Sequence, residues 1–195
     1  IVAEANKRRR NVDVRGIGAT DLRTFKDDGS PWNFSLKDDR RLARKMIDEQ
    51  KPDWIIGSPP CTAFSVWNTS MNYPKMDPAK VATPVLEGER QLKFMAGIYR
   101  RQHERGKFFL HEHPAGARSW QVPVIKNLRN LRGVDVVRGD QCQYGLTTKG
   151  ENPEDRRIAM KPTKFMSNSP QMLQQLCKRC DHSHKHQHLV GGRCP

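Results

Sequence analysis

Trp54-Ile55-Ile56-Gly57-Ser58-Pro59-Pro60-Cys61-Thr62-Ala63-Phe64-Ser65 is a short apolar run that meets a glycine, a serine and two prolines, then delivers one cysteine. The prolines fix φ and remove two backbone donors, so the turn is stiff and continues neither as strand nor as helix. A thiol held there stands beyond the end of a strand, where open α/β sheets keep their active sites. The alternative is a structural cysteine buried in a loop.

Around this turn, helical and strand patterns alternate. Residues 38–50 read as a helix, with acids near its start and Leu42, Met46 and Ile47 on one face. Residues 84–105 read as a second helix carrying Leu86, Leu92, Phe94, Met95, Ile98 and Tyr99. Lys107-Phe108-Phe109-Leu110-His111-Glu112-His113-Pro114 is a strand stopped by another proline. Residues 122–131 are helical in pattern and 134–137 strand-like. Upstream, 1–10 has helical character, and 12–21 contains a short strand ending near Asp21. The proline-bearing stretch 71–82 reads as a mobile loop. Such alternation predicts βαβ units and a mostly parallel sheet.

The chain has 195 residues, 35% hydrophobic and 29% charged, with a formal net charge of +14. That excess favours a polyanionic partner, nucleic acid ahead of a membrane surface. The cations are spread as Lys7-Arg8-Arg9-Arg10, Arg40-Arg41, Arg44-Lys45, Arg100-Arg101, Arg156-Arg157 and Lys178-Arg179, which predicts a folded basic face. No apolar run is long enough for a membrane span, and no signal peptide is visible at the start. Cys61, Cys142, Cys177, Cys180 and Cys194 do not read as a secreted disulfide framework. Three of them crowd the C-terminal end with histidines, pointing to metal in a reducing intracellular compartment. The nucleus is a plausible setting for a eukaryotic source.

Pro59-Pro60-Cys61 followed by Phe64-Ser65 resembles the catalytic loop of the S-adenosylmethionine-dependent cytosine-C5 DNA methyltransferases. His111-Glu112-His113-Pro114 resembles the second active-site strand of that family, with His113-Pro114 standing where Asn-Val is usual. Cytosine C5 is a poor nucleophile, so such chemistry first adds a thiolate at C6 and needs an acid on the base edge. The resemblance implies Cys61 as nucleophile and Glu112 as the acid that holds cytosine. It also implies Asp21 at the cofactor ribose, and Asn33-Phe34, where Asp-Phe or Asp-Ile is usual, at the adenine. Taken alone, Asp21 and Asn33 are ordinary turn residues.

Pro59 falls with the cofactor residues on the same resemblance, and Ser65, His113, Arg156 and Arg157 fall with the substrate. Solvated surface charge is the alternative for the two arginines. The segment from Asp140 through Gln141-Cys142-Gln143-Tyr144-Gly145-Leu146 resembles a late strand of the family. The Gly-rich first cofactor strand is expected before Ile1, and no long target-recognition insert follows Gly145. The order of motifs is most similar to compact methyltransferase-like domains of retroelement polyproteins. The fold it implies is α/β, a Rossmann-like methyltransferase sheet with flanking helices over residues 1–170.

Residues 171–195 then form a small Cys/His element. Cys177-Lys178-Arg179-Cys180 with His184 and His186 offers a tetrahedral zinc site, and His188 or Cys194 can replace either histidine. A histidine-rich tail that binds metal adventitiously is the alternative. Three functions follow from these readings. One is methyl transfer to cytosine in DNA, which the resemblance favours over RNA. The second is a nucleic-acid-binding module that keeps the fold without catalysis. The third, a zinc deaminase, lacks the His-x-Glu and Pro-Cys-x-x-Cys spacing that chemistry needs.

Overall fold

The computed structural model describes residues 24–149 and 156–187. Two units divide the chain, one ending at Asp53 and the other beginning at Trp54. The expected 1–10 helix, the 12–21 strand with Asp21, and the alternative ligands His188 and Cys194 lie outside the described residues.

In the first unit, an antiparallel bridge joins Phe25 and Pro31 ahead of helix α1 (Lys37–Gln50). Asp39 in its first turn is buried and accepts from Lys26 Nζ at 2.7 Å and from the Asn33 N–H at 2.6 Å. The Lys26 ammonium, with that amide, holds the Asp39 carboxyl below its usual range.

The second unit is mixed α/β. Its main sheet runs β1 (Trp54–Gly57), β2 (Phe108–Pro114), β6 (Pro162–Ser167), β3 (Asp135–Asp140). β1 and β2 are parallel, whereas β6 is antiparallel to both β2 and β3. The expectation of a mostly parallel sheet is thus corrected by β6, a strand that returns and inserts between β2 and β3. A separate two-stranded ribbon pairs β4 (Thr147–Lys149) with β5 (Arg156–Ile158).

Helices flank the sheet on both faces. α2 (Pro78–Glu104) and α3 (Pro123–Arg129) bring Leu92, Ala96, Tyr99, Ile125 and Leu128 against Phe109 and Met166. Alternate residues of the same strands, Leu110 and Phe165, meet Leu173 of α4 (Pro170–Gln175). Side-chain alternation along β2 therefore sends Phe109, His111 and His113 to one face, and Leu110 with Glu112 to the other.

Two local expectations change. α2 begins at Pro78, six residues before the expected start. Asp77 caps it by accepting from the Ala79 N–H at 2.9 Å, and Pro78 occupies the first turn, where a missing donor costs nothing. Pro84 lies inside the helix on its exposed side. The expected mobile loop instead contains a π-helical turn (Trp67–Asn72) and a 3-10 turn (Tyr73–Lys75). Asn68 Nδ2 donates to the Thr62 carbonyl at 2.7 Å, and Thr69 Oγ1 donates to the Ser65 carbonyl at 2.9 Å, which ties this stretch to the Pro-Cys turn.

The Cys/His segment is part of the second unit because it docks on β3. A Cβ at Gly139 would stand 2.3 Å from the Leu176 carbonyl oxygen, so only glycine admits that approach. Next to it, the Asp140 N–H donates to the Lys178 carbonyl at 2.9 Å.

Candidate active site and metal centre

The parallel register pairs Gly57 with His111, so the residues that follow leave the sheet side by side. Two hydrogen bonds extend the pairing past the ladder. Ser58 Oγ donates to Glu112 Oε2 at 2.5 Å, and His113 Nε2 donates to the Pro59 carbonyl at 2.7 Å. The Pro-Cys turn is thereby latched to the strand that carries Glu112. Cys61 follows two residues later, half-buried and outside any disulfide. Its carbonyl accepts from the Phe64 N–H at 2.9 Å, which starts the 3-10 turn Thr62–Phe64.

Glu112 keeps 17% of its side-chain surface exposed and has polar partners on both oxygens. Oε1 accepts from Gln141 Nε2 at 3.2 Å and lies 3.7 Å from Lys161 Nζ, while Oε2 takes Ser58. Gln141 is itself held by Thr163 Oγ1, at 2.9 Å from its Nε2. A carboxylate offers about four acceptor sites, so Glu112 retains capacity for a donor from a ligand. Beside the turn opens a cleft of about 630 Å³ whose walls include Pro60, Thr62, Asn68, Tyr73 and Lys75. Trp67, in the π-helical turn after Ser65, exposes 67% of its surface.

His113 corrects the expectation of a substrate contact. It is fully buried, and both ring nitrogens are engaged, Nε2 by Pro59 and Nδ1 by the Ser119 hydroxyl at 2.6 Å. With Nε2 donating, Nδ1 accepts, so the pattern suits the neutral ring. Burial pushes its pKa down. The residue therefore positions the Pro-Cys turn from below.

His111 sits beside it with ring centroids 5.0 Å apart and with Tyr99 and Trp120 at its edges. Neither of its nitrogens has a hydrogen-bond partner among the described residues. Burial, then His113, lowers its pKa to about 3. An unfolded histidine titrates near 6.5, so between about pH 6.5 and pH 3 the unfolded chain binds a proton that the native chain refuses. Stability should be unaffected by this group above about pH 6.5 and fall by roughly 1.4 kcal/mol per pH unit below it. Urea denaturation at stepped pH measures this slope, and His111→Leu should flatten it.

The remaining expected site residues are scattered. Pro59 is buried with its carbonyl committed to His113, which corrects its assignment to a cofactor. Ser65 serves the backbone: its Oγ accepts from the Asn68 N–H at 3.2 Å. Arg156 and Arg157 lie exposed on β5, with Arg156 Nε donating to Thr147 Oγ1 at 3.0 Å. In the first unit Asn33 Oδ1 accepts from the Ser35 N–H at 3.0 Å, and Phe34 packs at 5.7 Å from Trp32.

Comparison with protein-family models, curated proteins and solved structures gives no match. What the chain can do rests on its own side chains.

A second constellation gathers Cys142, Cys180, His184 and His186, whose ligand atoms all lie within 4.8 Å of one another. This set can hold a metal ion, and two sulfurs with two imidazoles are compatible with zinc. Cys177 is the correction: it is exposed, and its thiol donates to the Gln174 carbonyl at 3.2 Å. Its place is taken by Cys142, buried in the 3-10 turn Gln141–Tyr144 that follows β3. Sequence spacing points to the Cys-x-x-Cys pair, whereas Cys142 is read only as part of the 140–146 segment that resembles a late strand of the family, with no metal role.

Asp140 organises this end of β3. The carboxylate is 2% exposed and accepts from the Cys180 N–H at 2.9 Å, Arg179 Nε at 3.0 Å and Arg138 at 3.3 Å. Burial alone would raise its pKa, but the Cys180 amide and the two guanidiniums hold it below the usual range. Among the described residues no helix is long and apolar enough to cross a membrane.

Proposed function

We propose that the chain methylates C5 of cytosine in nucleic acid, DNA ahead of RNA, through a covalent adduct on Cys61. The observation that carries this reading is the double latch of Ser58 to Glu112 and Pro59 to His113. It brings a proline-stiffened cysteine turn and a strand-end carboxylate into one rigid unit. The net charge of +14 supports a polyanionic substrate.

Cys61 has one task, to add as thiolate to C6 of a cytosine turned out of its stack. The new S–C6 bond moves an electron pair towards C5 and N3. Glu112 meets that shift at the base edge as an acid: it donates a proton to N3, where charge accumulates, and its other oxygen accepts from the 4-amino group. Ser58, Gln141 and Lys161 fix the carboxylate, so little reorganisation is needed as the charge develops. The C5 electron pair would take a methyl group from a sulfonium donor, which leaves as the thioether; loss of the C5 proton to water, with return of the N3 proton to Glu112, would then expel the Cys61 thiolate and restore the aromatic base. S-adenosylmethionine supplies an electrophilic methyl group when bound. On the resemblance alone, Asn33 and Phe34 fall to its adenine and Asp21 to its ribose.

A binding module without catalysis is the second reading. It is favoured by Asn33, which stands where an acid is usual and spends its oxygen on its own turn. Transfer of labelled methyl to duplex DNA and to RNA separates the two. The enzyme reading expects label on DNA cytosine, reduced by about 10²–10⁴-fold in Glu112→Gln, the usual worth of a positioned acid. Equal transfer by that variant contradicts the role of Glu112. Retained nucleic-acid binding with no transfer at all supports the binding module.

A further inference from the structure

We infer that a tetrahedral zinc ion held by Cys142, Cys180, His184 and His186 clamps the 177–187 segment onto the end of β3 and, through Gln141, positions the Glu112 carboxylate. Zinc–sulfur bonds of about 2.3 Å and zinc–nitrogen bonds of about 2.0 Å place neighbouring ligands of a tetrahedron roughly 3.6 Å apart. Cys180 Sγ lies 3.6 Å from His184 Nε2 and 3.5 Å from His186 Nε2, and all four ligand atoms fall within 4.8 Å. Three ligands come from the tail and one from the turn after β3, so a bound ion cross-links parts of the chain far apart in sequence.

The backbone is already arranged for this closure. Asp140 receives Arg179 Nε and the Cys180 N–H, and the Gln187 N–H donates to the Ile158 carbonyl at 2.8 Å, pinning the tail on either side of the histidines. His182, at φ +61°, lies between them, where the tail turns back from Cys180. Two thiolates with two imidazoles select zinc over hard, oxygen-seeking cations.

Gln141 lies between Asp140 and Cys142, both part of this clamp. Its N–H donates to the Lys161 carbonyl at 3.2 Å, and its Nε2 reaches Glu112 and Thr163. Loss of the ion would therefore loosen both neighbours of the residue that orients the carboxylate. Gln141 is a positioning residue, and its importance to catalysis rests on the proposed role of Glu112. The ion site itself does not.

The test uses the full chain. Elemental analysis should find one zinc per chain, and cobalt substitution should give tetrahedral d–d bands with thiolate charge transfer. Cys142→Ser should weaken metal affinity by more than about 100-fold, the upper end for losing a mere outer-shell partner. Cys177→Ser should change it less than twofold. Absence of stoichiometric metal, or loss of it in Cys177→Ser, overturns the site, and the cobalt spectrum of the unmutated chain decides even where Cys142→Ser folds poorly. For the coupling, the side-chain carboxyl resonance of ¹³C-labelled Glu112 should shift on chelation and in Gln141→Ala, the latter retaining one zinc. An unmoved resonance on chelation overturns the coupling. A resonance that moves in a chain without methyl transfer leaves this inference standing and removes the methyltransferase reading.

Discussion

Cys61→Ser should bring labelled methyl transfer to the background of a reaction without protein, while leaving the fold and nucleic-acid binding unchanged. A cysteine thiol has an ordinary pKa near 8.5 and reaches the thiolate at neutral pH in a favourable setting, whereas a serine hydroxyl does not. Addition at C6 is the step that makes C5 reactive, so no slower parallel route bypasses it. The side chain is half-buried on a turn whose stiffness comes from Pro59 and Pro60, and whose anchors are Ser58 and Pro59. Loss of one sulfur should therefore change the stability by no more than a surface substitution does, about 0.5 kcal/mol. Circular dichroism and a nucleic-acid titration serve as controls. Transfer surviving above one tenth of the original rate would remove Cys61 from the mechanism.

Chelation of the metal should produce the largest loss of stability. A ligand that binds only the folded chain, present at 1,000 times its dissociation constant, stabilises it by about 4 kcal/mol. For a chain of this size each kcal/mol is worth about 2–4 °C, so the melting temperature should fall by roughly 8–16 °C. Cys142→Ser should reproduce most of that fall, because it removes a buried ligand from the core side of the cluster. Cys177→Ser should not, since its thiol is exposed. Calorimetry with and without chelator makes the comparison, and a melting temperature insensitive to chelator contradicts a structural ion.

The central features of the second unit were legible because they are local. A three-residue apolar run followed by Gly-Ser-Pro-Pro becomes a strand and a stiff turn from local sequence alone, and the same holds for β2 and its terminal proline. The order Cys61 then Glu112 followed from those two strand ends. What failed was non-local. β6 reads Pro162-Thr163-Lys164-Phe165-Met166-Ser167, too mixed in polarity to announce a strand buried between two others, and its pairing partners lie far upstream. The apolar face that begins at Leu86 starts the expected helix at Pro84, yet the Asp77-Pro78 cap is the stronger start signal.

The metal ligands divide in the same way. His184, His186 and Cys180 share one short segment, and their proximity follows from chain geometry. Cys142 joins them only because Gly139 lets the Leu176 backbone approach and Asp140 captures Cys180. His113 is the reverse case. Its position next to Glu112 suggested the substrate pocket, but β-strand alternation turns it to the opposite face, where it holds Pro59.

The most direct measurement of the central claim is capture of the adduct itself. A duplex carrying 2-pyrimidinone in place of cytosine lacks the 4-amino group, which leaves C6 more open to a thiolate. Incubation with the full chain, then intact-mass analysis and peptide mapping, should give one DNA-linked species with the bond on Cys61. It should be absent in Cys61→Ser and reduced in Glu112→Gln. A chain that binds this duplex but forms no adduct, or one linked through a cysteine other than Cys61, would contradict the account.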